Sequence, residues 1–235
     1  MPRYRIEYSK TGGARWLSHL ELIRTFIRAL RRSGLPLAFS QGFNPHPKLS
    51  YGPSLGVGVA GLREYLDMDL ATDVPLSEGL ASLRQQFPPG VETRCLIEVA
   101  PAASGIGKAV NCGWYRLALP PEQPADAWQQ AIDRLIGGSH PLCYKRPKDG
   151  KLFDVRPALA ACRLTEAGDK KSEALDLLVD LGNAAVPLRG IVETLLPLTE
   201  VAGCYEPARV TRMALLHHNG GLVNPLGERK QLWEA

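Results

Sequence analysis

The stretch Gln41-Gly42-Phe43-Asn44-Pro45-His46-Pro47-Lys48 gathers two amides, an imidazole and an ammonium group within eight positions. Pro45 and Pro47 bracket His46 and hold its flanks extended, while Gly42 permits a turn before Phe43. Gln41, Asn44, His46 and Lys48 on such a stiffened loop are groups suited to recognising an anionic or hydrogen-bonding ligand. A rigid connector carrying a solvated histidine is the plainer alternative. A second set follows a helix start. Arg24, Arg28, Arg31 and Arg32 fall opposite the apolar arc of Leu20, Ile23, Phe26, Ile27 and Leu30 at 100° per residue. Arg15 precedes them. Guanidinium groups facing one way suit phosphates or an acidic surface. His19 lies at the margin of the apolar arc. Were it beside the loop, His19 and His46 would flank one phosphate or form an acid–base pair, with Lys48 stabilising developing charge.

The remaining candidates have structural explanations close to hand. Glu64, Asp67 and Asp69 alternate along an expected half-exposed strand. Asp154 and Arg156 are spaced to form a local ion pair, and Arg209 and Arg212 add cationic character to the last long strand. Tyr4 and Tyr8 share a strand face, as sheet aromatics that stack bases do, but the RNA-recognition consensus run is absent. Gly52, Gly56, Gly58 and Gly61, and separately Gly105-Ile106-Gly107-Lys108, match neither phosphate-loop pattern. The five cysteines (Cys95, Cys112, Cys143, Cys162, Cys204) form no C-x-x-C or other metal-ligand spacing and are expected to be reduced thiols, most of them buried. No metal or cofactor is expected.

Charge supports a cationic partner surface. The chain of 235 residues carries +4, but residues 1–50 hold nine Lys/Arg against Glu7 and Glu21, a local +7 that leaves −3 for the rest. A basic first fifth on a slightly acidic body points to one cationic face. With 45% apolar and 22% charged residues the composition is globular. No apolar run is long enough to cross a bilayer and no leader is visible at the start, so a cytoplasmic protein is expected.

The elements that must position these groups read as follows. Arg3–Tyr8 alternates as a strand. Ser18 and Glu21 form a capping box that opens a helix ending at Ser33-Gly34. Leu35–Phe39 reads as a short strand, Ser40–Gly61 as a Gly/Pro-rich loop, Glu64–Leu70 as a strand, Ser77–Phe87 as a helix and Val91–Val99 as a strand. After an Ala100–Lys108 linker come a strand (Trp114–Leu119), a helix (Ala125–Ile136), strands at Leu142–Arg146, Val155–Leu164 and Ala174–Leu181, a helix (Pro187–Leu196) and a strand (Arg209–Leu216). The order predicts an α+β fold of two tandem ferredoxin-like (βαββαβ) units, each an antiparallel sheet with helices on one face. The domains are then 1–100 and 109–218, with a polar tail at 219–235.

RWLSHLELIRTFIRALRRSGLPLAFSQGFNPHPKLSYG, EYLDMDL, FDVRP and RVTRMALL together resemble the radical SAM-linked proteins, a bacterial family of unknown function encoded beside or fused to a radical SAM protein. The resemblance implies an accessory, substrate-presenting role with a radical SAM partner in RNA or protein modification, and assigns no residue a task. Glu21 replaces the Asp usual after the helix-opening SHL, and Pro187-Leu188-Arg189 departs from the usual Arg-Pro order. The chain lacks the three-cysteine cluster of a radical SAM enzyme and is not one itself. The leading expectation is a non-catalytic RNA-binding module for tRNA or rRNA, in which Arg15, Arg24, Arg28, Arg31 and Arg32 neutralise phosphates and Gln41, Asn44, His46 and Lys48 position the nucleic acid. The alternatives are a metal-independent endoribonuclease, with His46 or His19 as base and Lys48 as charge stabiliser, and a pure protein-interaction module. The tandem layout also resembles the CRISPR repeat-processing endoribonucleases, a likeness of architecture only.

Overall fold

A computed structural model describes residues 1–119, 125–138, 141–167, 172–182, 186–199, 204–219 and 221–233. Along the chain run β1 (Arg3–Lys10), α1 (His19–Arg32), β2 (Leu49–Tyr51), β3 (Ala60–Asp69), α2 (Leu76–Arg84) and β4 (Val91–Val99). One helical turn, α3 (Ile106–Ala109), leads to β5 (Cys112–Ala118), α4 (Ala125–Gly137) and the hairpin β6 (Cys143–Lys145) and β7 (Leu152–Asp154). β8 (Leu159–Ala167), β9 (Ser172–Asp180), α5 (Leu188–Leu195), β10 (Val210–His218), β11 (Leu222–Val223) and β12 (Arg229–Lys230) complete the order. The chain divides into two compact units, Met1–Asn111 with Arg212–Ala235, and Cys112–Thr211.

The expected pair of ferredoxin-like sheets does not form. The strands enter a ten-stranded mixed sheet, with β6 and β7 apart as a two-stranded ribbon. Within the first unit the strand order is β4-β1-β3-β10, with β2 also on β3, and within the second it is β5-β9-β8. The reason lies in β10. Read from sequence as the closing strand of a second copy, it carries Arg212 into the first unit, where the guanidinium pairs with Glu64 and donates to the carbonyls of Pro53 and Ser54. Element order could not reveal that pairing, since 148 residues separate the two charges.

Within the first unit, β1 alternates so that Tyr4, Ile6 and Tyr8 meet Leu66 and Met68 of β3, with Phe26 and Leu30 of α1 and Leu83 of α2 closing the core. Phe26 is fully buried, with its ring 4.7 Å from that of Tyr8 and 4.8 Å from that of Phe87, both edge-on. The opposite face of β1 is charged, yet it too is buried. Arg5 lies directly across from Asp67, and Arg3 across from Asp69. Arg5 forks onto Asp67 at 2.7 and 2.9 Å and donates to the Ser104 and Pro225 carbonyls, while the Ile106 amide donates to Asp67 at 2.7 Å.

Two expectations change here. The stretch 100–108 is no free linker, because Ile106 is buried under that charged face. Glu64–Leu70 is not half-exposed, because segments 104–106 and 224–225 cover what would have been its wet side. Leu35–Phe39 makes only isolated bridges, Leu37 to Leu70 and Phe39 to Pro47, and β2 lies inside the expected loop. Residues 221–233 of the polar tail carry β11 and β12, with Asn224 buried; its positions 220, 234 and 235 lie outside the described residues. Gly90, at φ +88°, turns the chain into β4 where a Cβ would sit 2.4 Å from the Thr11 carbonyl oxygen, so no side chain fits.

In the second unit β5 and β8 each pair antiparallel with β9, Tyr115 opposite Leu177 and Arg163 opposite Asp176. Asp176 is fully buried and accepts a forked pair of bonds from Arg116 at 2.7 and 2.8 Å, with Arg163 3.5 Å away. Trp128, Ile132 and Leu135 of α4 and Ile191 and Leu195 of α5 supply its helical core. Asp154 does not pair with Arg156: its carboxylate accepts the Leu142 and Arg156 amides, and the Arg156 guanidinium donates to the Leu135 carbonyl.

Candidate anion-binding interface

The cationic helix is built by its cap and its apolar stripe. Ser18 accepts the Glu21 amide at 3.3 Å while the Glu21 carboxylate accepts the Ser18 amide at 2.8 Å, a full capping box. Those bonds from Ser18, backbone first and hydroxyl second, hold the Glu21 carboxyl below the usual carboxylate range. Leu22, Phe26, Ala29 and Leu30 are buried against the sheet, which turns Arg24, Arg28, Arg31 and Arg32 outward, and all four are exposed. Leu20 departs from the expected apolar arc: it is 65% exposed, one step round from Arg24.

What Arg24, Arg28 and Arg31 touch separates them from the buried arginines of the unit. Arg24, Arg28 and Arg31 make no ion pair or side-chain hydrogen bond among the described residues, and Arg24 acts on the Glu21 carboxylate through its charge alone. Arg32 donates to Gln86, through Nε to the amide oxygen at 3.3 Å and through a terminal nitrogen to the carbonyl at 2.5 Å. Arg15 is half-buried, its Nε donating to the Gly58 carbonyl while the Gly58 amide returns a bond to the Arg15 carbonyl. Arg15 is thus held as part of the fold. Arg24, Arg28 and Arg31, by contrast, are not held in this way.

The Gln41–Lys48 stretch is the distal part of a hairpin. Ala38 and Lys48 bond to each other and to Asp69, and above them the Ser40 amide donates to the His46 carbonyl at 2.8 Å and the His46 amide to the Ser40 hydroxyl at 3.0 Å. Pro47 is buried at its base, while Gln41, Gly42, Phe43, Asn44, Pro45, His46 and Lys48 are exposed. Gly42 adopts φ +126°, a conformation glycine accepts and other residues resist. The Lys48 ammonium contacts the Met1 sulfur at 3.7 Å.

His19 and His46 are not assembled as a pair. The His19 ring sits edge-on to Tyr51 at 5.7 Å between centroids, half-buried, whereas His46 is solvent-exposed on the hairpin. Neither ring hydrogen-bonds to the other or to Lys48 among the described residues. A general base normally needs such an orienting partner. Arg212, expected to add cationic character to the second copy, lies in the first unit, wholly buried on Glu64, and Arg209 is held by Glu206 at 2.8 Å.

Two features escaped the sequence reading. The sequence marks Phe43 only as part of the loop, yet it is 106% exposed, and Trp16 is 57% exposed beside the helix cap. An aromatic flanked by Gly and by a polar, proline-stiffened run was the available signal for the first. Among the described residues no group of three or more His, Cys, Asp or Glu could hold a metal ion. The cysteines are all free, but only Cys112 is fully buried, and Cys143 and Cys204 are exposed. Burial pushes the Cys112 thiol up to about 12. No helix among the described residues is long and apolar enough to cross a membrane.

No curated protein matches the chain in sequence. A family model does, over residues 3–187, a span that takes in the hairpin, the arginine helix and most of the second unit. The chain belongs to the DUF2344 family, described as an uncharacterized protein conserved in bacteria.

Proposed function

We propose that the first unit is an RNA-binding accessory module that presents a tRNA or rRNA segment to a radical SAM partner. One contrast carries this reading: among the described residues Arg24, Arg28 and Arg31 are exposed and make no ion pair or side-chain hydrogen bond, while Arg3, Arg5 and Arg212 of the same unit are neutralised by Asp69, Asp67 and Glu64. Unpaired guanidinium groups on one helix face offer several donors each to phosphate oxygens, and displacement of condensed counterions then drives association. The hairpin groups Gln41, Asn44, His46 and Lys48 supply positioning contacts. The radical SAM partner rests on the resemblance of the sequence motifs.

The test is fluorescence anisotropy with labelled structured RNA at several salt concentrations. Arg28→Glu with Arg31→Glu is expected to weaken binding by at least roughly ten-fold and to flatten the dependence on salt by about two counterions. Affinity unchanged at low salt would sink the reading. The exposed Trp16 before α1 and the exposed Leu20 on it favour a second reading, docking to an acidic face of the radical SAM subunit. The absorbance ratio at 260 and 280 nm of the complex purified from native lysate separates them, because nucleic acid raises it and a protein partner does not.

A further inference from the structure

We infer that the tip of the 38–48 hairpin is a stacking site for an unpaired nucleotide, so that the RNA this protein takes is a loop, bulge or single strand rather than a continuous duplex. The inference rests on the RNA reading above and gives it a substrate class. Phe43 contributes nothing to the fold, for its ring is fully exposed at the far end of the hairpin. A bare phenyl ring in water leaves its apolar area to be covered by a partner. The stalk beneath it is rigid. Ala38, Lys48 and Asp69 are cross-bonded at 2.8 to 3.0 Å, Ser40 and His46 close the next rung, and Pro45 and Pro47 restrict the returning leg. An aromatic ring on such a stalk meets a planar partner without losing much freedom on binding.

The surroundings of Phe43 select the partner. Gln41, Asn44 and His46 are exposed beside it, and the run from Gln41 to Pro47 contains no carboxylate. Amide and imidazole groups can donate to and accept from base edges, and the ring supplies a face on which any base stacks. Within a duplex the base faces are occupied by neighbouring pairs and the A-form major groove is too narrow for side chains, so only splayed nucleotides can use this arrangement. A purely apolar pocket on a protein would instead leave Gln41 and Asn44 desolvated at its rim. The exposed arginines of α1 in the same unit add the charge that a polyanion requires.

The experiment compares the full chain with Phe43→Ala and Phe43→Trp on two RNAs of equal length, a stem-loop and a fully paired duplex. 2-Aminopurine in the loop reports stacking. The stem-loop should bind the unaltered protein more tightly and its 2-aminopurine should be quenched. Phe43→Ala should lose roughly ten-fold on the stem-loop with quenching abolished, leave the duplex unchanged and unfold at the same temperature. Phe43→Trp should retain both affinity and quenching. If Phe43→Ala binds both RNAs as before, or loses equally on both, the stacking site is refuted while the arginine reading stands. If the unaltered protein binds neither RNA at low salt, both fall together.

Discussion

The arginines of β1 and β10 and those of α1 share a side chain and almost nothing else. Arg5 and Arg212 are 4% and 0% exposed, each with its guanidinium spread over a carboxylate and backbone carbonyls. Arg24, Arg28 and Arg31 present theirs to solvent. The first pair joins strands distant in sequence and is satisfied within the molecule. Among the described residues the helix set makes no ion pair or side-chain hydrogen bond. Net charge merges the two populations. Of the nine basic residues in positions 1–50, Arg3 and Arg5 are neutralised by Asp69 and Asp67, which lie just past that window. The cationic excess is real, but its exposed part is carried by α1 and Lys48 and not by the whole first fifth of the chain.

The largest expected effect comes from cutting a buried pair. Arg212→Met leaves Glu64 desolvated without its partner and should cost about 3–5 kcal/mol in urea denaturation. Combining Arg212→Met with Glu64→Leu should recover much of that loss, since the penalty lies in the stranded charge. Arg5→Met should cost less, because Asp67 keeps the Ile106 amide. A loss under about 0.5 kcal/mol for Arg212→Met would erase the distinction between the two populations.

The helix set should behave in the opposite way. Replacing Arg24, Arg28 and Arg31 together with Gln should leave unfolding within about 0.5 kcal/mol of the starting protein while flattening the salt dependence of RNA binding. Arg15→Gln, which breaks the bond to Gly58, should move stability rather than the salt slope. The same measurements on both variants therefore decide which arginines belong to the fold and which to a ligand.

How much of this was legible in the sequence depends on the range of the interaction. The capping box, the helix and its arginine face follow from spacing within one element and are present, with Leu20 alone leaving the expected apolar arc. The alternating charges of β1 and β3 were also visible, but their pairing was not, because Arg5 and Asp67 are 62 residues apart. Nothing local distinguishes a wet strand face from one covered later by residues 104–106 and 224–225. For the same reason the destination of β10 was missed: its alternation identifies a strand and says nothing about its neighbour. Of the site, the polar hairpin residues announced themselves by type. Phe43 did not, since an exposed and a buried phenylalanine look alike until the chain has folded.

The smallest effect concerns the cap that aims the arginine face. Ser18→Ala removes the bond to the Glu21 amide and should cost about 1 kcal/mol, enough to fray the first turn without unfolding α1. Glu21 adds a pH signature. Its carboxyl titrates below the usual carboxylate range in the folded chain, so its contribution is complete above the unfolded value, about 4.3, and disappears as pH falls through the lower folded one. Glu21→Gln keeps an acceptor oxygen for the Ser18 amide but cannot titrate. The two proteins should therefore differ in thermal midpoint at pH 7 and converge as the solution is acidified through that range. A difference that persists at the acid end would mean that Glu21 acts through shape alone, and that the cap contributes to the arginine face only by holding the helix start in place.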